Sequence, residues 1–160
     1  MKQQIKEALF FRSQGELQKS NLILLELLQV NANDPYLNYQ VAWSFDILEK
    51  EAEAIYYYET AIENGLSGSD LEGAYLGLGS TYRTLGQYSL AEKMLAKGIN
   101  EFPENNALKV FYAMVLYNLE QYSQGMGILL SLLSTTSCDE DIREYKKAIM
   151  FYADKLDRIW

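Results

Sequence analysis

Residues 72–105 read EGAYLGLGSTYRTLGQYSLAEKMLAKGINEFPEN and contain two helical patterns in succession. The first pattern places four residues on one face of a helix: Tyr75, Leu78, Gly79 and Tyr82. Gly86 interrupts it. The second pattern places five residues on one face of the next helix: Leu90, Ala91, Met94, Leu95 and Gly98. Pro103 then ends the pattern, because proline cannot continue an α-helix, so this stretch predicts a pair of helices joined by a short turn.

The pair recurs along the chain. Small residues occur in two series that share the spacings 34, 37 and 34, namely Ala8, Ala42, Gly79, Ala113 and Ser20, Ala54, Ala91, Gly125. A helix pair of this length cannot bury its apolar face alone, so copies stack, and small residues let helices approach closely. The sequence therefore predicts one helical solenoid domain over residues 1–160. Its repeats are about 1–34, 35–71, 72–105 and 106–138, and an amphipathic helix caps it over 139–160.

The third repeat resembles the tetratricopeptide repeat (TPR) family. That family's consensus has an aromatic, Leu-Gly and Tyr on its first helix, Gly-x-Tyr at the turn, and Ala and Pro along its second helix. The other repeats keep part of this pattern, although Glu49 and Glu120 replace the turn glycine. The resemblance covers nearly the whole chain. It implies an all-α fold, a right-handed superhelix of about four helix pairs with a C-terminal capping helix.

Residues 64–73 contain three glycines, two serines and the three extra residues of the long spacing. This composition predicts an extended turn between the second and third repeats. Either a tolerated surface insertion or a hinge or partner-contacting loop would fit such a turn.

The composition argues against several classes of function. The chain has no histidine and its only cysteine is Cys138, so metal sites, His-based triads and an intrachain disulfide lack their usual residues. We therefore expect no enzyme activity and no cofactor or metal. The net charge of -8 argues against binding to nucleic-acid phosphates. A lone thiol, the lack of a secretory signal pattern and the lack of a membrane span predict a cytoplasmic protein with no membrane contact.

In the TPR family the first helix of each pair lines most of a concave groove. The resemblance therefore assigns eight residues to a groove that binds a protein or peptide partner: Arg12, Tyr36, Tyr39, Trp43, Arg83, Met114, Tyr117 and Tyr152. Aromatic residues offer a large rigid contact area at little entropic cost. The alternative is that Trp43 and several tyrosines pack between adjacent repeats.

Some members of the family bind the C-terminal carboxylate of heat-shock chaperones through Lys and Asn residues. The matching positions in this chain are Ile5, Leu9, Gln40, Gly73 and Gly77. These residues cannot form such a clamp, so we do not expect this ligand.

Charge is distributed unevenly among the repeats. Residues 35–71 carry seven acidic side chains and one basic one, which form either a solvated outer face or a patch for a basic partner. Between residues 106 and 138 only Lys109 and Glu120 are charged. The apolar surface of this fourth repeat is either buried or forms a self-association or partner patch, so a homodimer through repeat four is one expectation.

The sequence favours a non-enzymatic scaffold or adaptor that binds a peptide or helical segment of another protein. One alternative is a chaperone like those of bacterial type III secretion, which are small acidic TPR proteins. Against it, the repeats begin at residue 1, whereas those chaperones carry an N-terminal extension. A subunit of an enzyme complex is the remaining alternative.

Overall fold

The computed structural model describes residues 1–160 and contains ten α-helices and no β-strand. The helices are α1 Lys2–Ser13, α2 Leu17–Val30, α3 Pro35–Asp46, α4 Glu51–Glu63, α5 Gly68–Thr84, α6 Tyr88–Glu101, α7 Asn106–Asn118, α8 Tyr122–Thr136, α9 Glu140–Glu144 and α10 Lys146–Tyr152. The all-α fold expected from the sequence is confirmed.

The chain forms two compact units, Met1–Gln87 and Tyr88–Trp160, which we call unit 1 and unit 2. In unit 1, each helix from α1 to α4 packs against the helix that follows it, and α3 also contacts α5. In unit 2, α7 packs between α6 and α8, and α8 contacts both α9 and α10. The boundary between the units lies inside the predicted third repeat, and the single domain over residues 1–160 stays a prediction.

Local sequence sets where the helices begin. Before α3, the carboxylate of Asp34 accepts a hydrogen bond from the backbone N–H of Leu37 at 2.8 Å, and Pro35 occupies the first turn. Before α7, the side chain of Asn105 accepts from the N–H of Leu108 at 3.1 Å. Both caps satisfy a donor that the helix leaves without a partner, which fixes the starting residue of each helix.

The small residues of both series lie where helices meet. All eight are buried: Ala8, Ala42, Gly79, Ala113, Ser20, Ala54, Ala91 and Gly125. In unit 2 a Cβ on Gly125 would lie only 3.0 Å from the carbonyl oxygen of Ala113, so the two series meet at the contact between α7 and α8. The expectation of close helix approach is confirmed at Gly125.

The start of α5 differs from the expectation based on the sequence. Helix α5 begins at Gly68, so the predicted extended turn over residues 64–73 was wrong. The extra residues lengthen α5 to 17 residues, whereas α3 has 12. The turn itself is short because Gly65 has a φ of 86° and the N–H of Leu66 donates to the carbonyl of Ala61 at 3.0 Å, which closes the end of α4.

The C-terminal segment is not the single helix predicted over residues 139–160. Two short helices, α9 and α10, meet at Tyr145, and the helix ends at Tyr152. The apolar spacing predicts a buried helix face, but no residue of α9 or α10 is buried, and the buried residue of this segment is Ala153, which is 4% exposed. A Cβ on Gly127 would lie only 2.6 Å from the carbonyl oxygen of Ala153, so the two residues pack closely. Turns instead of a helix follow Ala153.

Candidate interaction surfaces

The accessible aromatic surface of unit 1 is centred on α3. Tyr36, Tyr39 and Trp43 are spaced three and four residues apart and share one face of this helix. Tyr39 is only 9% exposed, whereas Trp43 is 43% exposed, and their ring centroids are 6.2 Å apart. Tyr36 is half-buried. We call these three residues the α3 platform; it presents an accessible indole beside a buried tyrosine.

Arg12 supports this platform from α1. Its Nη1 donates to Oε1 of Gln40 at 2.8 Å, and its Nη2 donates to the Gln40 backbone carbonyl at 2.9 Å. Its Cζ lies 4.6 Å from the centroid of the Trp43 ring, a cation–π contact. Burial lowers the pKa of the Arg12 guanidinium. The resemblance assigns Arg12 to the groove, and the structure shows its guanidinium bound to Gln40 and packed on one face of Trp43.

A buried polar network lies next to the platform. The hydroxyl of Tyr58 donates to Oδ2 of Asp46 at 2.6 Å, and the hydroxyl of Thr81 donates to Oδ1 of the same carboxylate at 2.9 Å. Burial raises the pKa of Asp46, and the two hydrogen bonds oppose that shift. Burial, together with the adjacent Asp46, also raises the pKa of Tyr58. This network joins α3, α4 and α5 and fixes Tyr58, whose ring centroid is 6.2 Å from that of Tyr39.

Two glycines of α5 make room for these tyrosines. A Cβ on Gly77 would lie 2.5 Å from Cζ of Tyr58, and a Cβ on Gly73 would lie 3.2 Å from Cζ of Tyr39. Real Cβ atoms do not approach ring carbons as closely as 2.5 Å. The tyrosine rings therefore occupy the space beside Gly73 and Gly77, two of the positions that match the chaperone-binding clamp.

Asp70 is a residue of this surface that sequence reasoning missed. It lies in the first turn of α5, inside residues 64–73, for which the sequence predicts an extended turn. After burial, its charge is the largest influence that raises the pKa values of both Tyr36 and Tyr39. The added N-terminal turn of α5 thus brings a carboxylate to the edge of the platform. Recognising that the three extra residues continue a helix would have been needed to find it.

The other four candidates lie on other helices. Arg83 is half-buried in the last turn of α5. Met114, Tyr117 and Tyr152 belong to unit 2 and are exposed. The ring of Tyr117 packs edge-on against Tyr122 with centroids 5.2 Å apart. Of the eight predicted residues, the structure brings together Arg12 and the three aromatic residues of α3.

Unit 2 contains an open cleft of about 1190 Å³ that the sequence did not reveal. It lies between α8 and the turns that follow α10, with Gln124, Ser131, Met150 and Leu156 among its lining residues. The hydroxyl of Ser123 donates to the carboxylate of Asp157 and ties the C-terminal turns to α8. One wall of the cleft is therefore formed by the C-terminal turns, for which the sequence predicts a helix.

No group of three or more Cys, Asp or Glu side chains is arranged to hold a metal ion. Cys138 is exposed between α8 and α9. None of the ten helices combines the length and the apolar character that a membrane span requires.

Comparison with known proteins identifies the family. A model of the family described as "Tetratrico peptide repeat" matches residues 35–156. A search of curated proteins finds no match. Among solved structures, the chain is similar to YrrB, described as a TPR protein with an unusual peptide-binding site. The TM-score is 0.74 at 19% identity, over 97% of this chain and 77% of YrrB.

A second similar structure is a putative kinesin light chain from Podosopora anserina with nearly identical TPR-like repeats. Its TM-score is 0.71 at 14% identity, over 98% of this chain and 86% of that one. At such identities these structures show a shared fold, whereas the match to the family model covers most of the sequence. The chain belongs to the tetratricopeptide repeat family.

Proposed function

We propose that this chain is a non-enzymatic interaction scaffold whose α3 platform binds a segment of a partner protein. The observation that carries the proposal is Trp43. It is 43% exposed, although its helix is otherwise well buried and Arg12 and Tyr39 hold its ring in place. A rigid, accessible indole supported by neighbouring side chains is the kind of residue that dominates binding energy at protein interfaces.

The polar contacts around Trp43 support this interpretation. The hydrogen bonds from Arg12 to Gln40 and the network at Asp46 order the residues under the platform before any partner arrives. A surface ordered in advance loses less conformational entropy on binding. YrrB is described as having a peptide-binding site, and we extend this class of ligand to the present chain as part of the proposal.

The charge of unit 1 favours a basic partner segment. Residues 1–87 carry twelve acidic and six basic side chains. Asp70 stands at the edge of the platform, while the nearest cation, Arg12, is already engaged by Gln40. A negative field of this kind speeds the approach of a segment that carries Lys or Arg side chains.

The test is selection of random 12-residue peptides displayed on phage against the immobilised protein. Selected peptides are synthesised and titrated against three proteins: the wild type, Trp43→Ala and Trp160→Ala. The last is a matched control, because Trp160 is the only other tryptophan and lies in unit 2. We expect Trp43→Ala to weaken binding about 30-fold, the effect of losing about 2 kcal/mol at a hot spot. Trp160→Ala should leave the affinity unchanged.

Equal affinities for the wild type and Trp43→Ala would contradict the proposed site. A selected set rich in Asp and Glu, with binding still dependent on Trp43, would keep the site and overturn the basic character of the partner. Circular dichroism of both variants provides the check that the helices are intact.

A further inference from the structure

Helix α8 presents a continuous apolar stripe to solvent. The stripe consists of Tyr122, Met126, Leu129 and Leu133. Each of these side chains is between 37% and 54% exposed. The residues are spaced four, three and four apart, which is the spacing of the contact positions in paired helices. We call these four residues the α8 stripe.

The same face is covered in the other repeats. One position illustrates the difference: the residues that correspond to Leu129 in the earlier second helices are Leu24, Tyr58 and Leu95. Leu24 and Leu95 are 0% exposed and Tyr58 is 2% exposed, whereas Leu129 is 37% exposed. In a TPR array this face of a repeat packs against the next helix pair. Because α9 and α10 are short and contact α8 elsewhere, they leave the stripe open.

Charge on the stripe's helix indicates what could cover it. Helix α8 contains no charged side chain, whereas α2, α4 and α6 each contain at least two. Two copies of a chain with a net charge of -8 repel each other least where charge is sparse. Residues 88–160 carry ten acidic and eight basic side chains, so unit 2 is closer to neutral than unit 1. An uncharged stripe also gives no electrostatic attraction to a basic or an acidic partner.

A second copy of the chain offers a surface that is both apolar and uncharged. Its own α8 carries an identical apolar stripe, so a two-fold axis makes the two surfaces complementary to each other. Antiparallel packing sets the two helix dipoles against each other favourably and keeps the two Glu120 residues, which directly precede α8, at opposite ends of the contact. It also pairs Met126 with Leu129 of the partner copy and Tyr122 with Leu133.

We propose that the protein forms a homodimer in which the α8 stripes of two copies pack antiparallel. This interface is separate from the α3 platform, which lies in unit 1, so it goes beyond the proposed function and does not depend on it. The dimer places two platforms in one assembly. A partner with two copies of the recognised segment would then bind more tightly than a partner with one.

The test is the mass measured by light scattering across a concentration series that extends to about 1 mM. We expect the mass to rise from 18.4 kDa toward twice that value for the wild type. The variant Met126→Glu/Leu129→Glu places charge on the stripe and should remain at the mass of one chain. The matched control Gln124→Glu/Thr135→Glu adds the same charge to the cleft-lining face of the same helix and should still dimerise.

A mass of one chain at every concentration would overturn the proposal. So would a dimer that survives Met126→Glu/Leu129→Glu, because the contact would then lie elsewhere. All four substituted side chains are exposed or border solvent, and thermal unfolding followed by circular dichroism shows whether each variant is folded.

Disulfide trapping tests the orientation of the pair. In a Cys138→Ser background, chains with Met126→Cys are mixed with chains with Leu129→Cys under mild oxidation. Antiparallel packing predicts that the mixed disulfide forms several times faster than either disulfide between identical chains. Faster formation between two Met126→Cys chains would overturn the antiparallel arrangement.

Discussion

Glu120 has the same left-handed backbone conformation as Gly86. The φ angle is 61° at Glu120 and 73° at Gly86. In both turns the next N–H donates to a carbonyl five residues earlier, from Gln121 to Leu116 at 2.9 Å and from Gln87 to Tyr82 at 2.8 Å. This is the hydrogen-bond pattern that closes a helix with a left-handed residue. The turn geometry is therefore kept where the sequence lacks the glycine that adopts it without steric cost.

We expect Glu120→Gly to stabilise the protein. A residue with a Cβ loses about 1 to 2 kcal/mol in the left-handed region, and glycine avoids this cost but has more unfolded-state entropy to lose. The net gain should be about 1 kcal/mol in the free energy of unfolding, measured by urea denaturation. Glu120→Gln is the control, since it removes the charge and keeps the strained backbone. An equal gain in both variants would assign the effect to charge.

Asp46 should make stability depend on pH in an unusual direction. Its pKa is raised in the folded protein by burial, so the folded state binds a proton more readily than the unfolded state does. Stability contributed by the protonated carboxyl is therefore lost as pH rises from the unfolded value of 3.8 through the higher folded value. Asp46→Asn cannot ionise at this position.

Urea denaturation of the wild type and Asp46→Asn, measured at intervals between pH 3.5 and 7, checks this prediction. The stability of the wild type should fall relative to that of Asp46→Asn as pH rises through the window. A difference that is constant with pH would show that Asp46 titrates alike in both states. A rise in the relative stability of the wild type with pH would show that the hydrogen bonds from Tyr58 and Thr81 outweigh the cost of burial.

The sequence predicted the helix pairs because their period repeats along the chain. A small residue recurs in every repeat at positions such as Ala91, and this recurrence indicates that two helices approach closely there. The prediction for the start of α5 was wrong because Gly65 and Gly68 are residues typical of turns. Only the structure shows that the helix begins at Gly68. The prediction of a single C-terminal helix was wrong because the spacing of apolar residues cannot show that Ala153 packs on Gly127.

The candidate surface was predicted only in part. Spacing along α3 was enough to place Tyr36, Tyr39 and Trp43 together, because they lie on one helix. The partner of Arg12 could not be predicted, since its contact with Gln40 joins residues 28 positions apart. The exposure of Leu129 could not be predicted either, because it depends on which part of α8 the C-terminal segment covers.

We expect Ala91→Arg to unfold unit 2. Ala91 is fully buried in α6, and its small side chain permits the helix contact. Overpacking costs about 1 to 3 kcal/mol, and an unpaired buried charge adds to that cost. Ala96→Arg is the control, because Ala96 is exposed on the same helix. A thermal melt by circular dichroism that is unchanged in Ala91→Arg would contradict the assigned packing.

The substitution Gly77→Ala tests whether the ring of Tyr58 on α4 requires a glycine on α5. Alanine favours a helix interior by about 1 kcal/mol over glycine, so without other effects the variant would be more stable. The added Cβ would however lie 2.5 Å from Cζ of Tyr58, and overpacking of this kind costs about 1 to 3 kcal/mol. We expect a net loss of stability in urea denaturation. In a Tyr58→Ala background the ring is gone, and the same substitution should become stabilising by about 1 kcal/mol. The change of sign is the decisive result, because a general intolerance of α5 to substitution would make Gly77→Ala destabilising in both backgrounds.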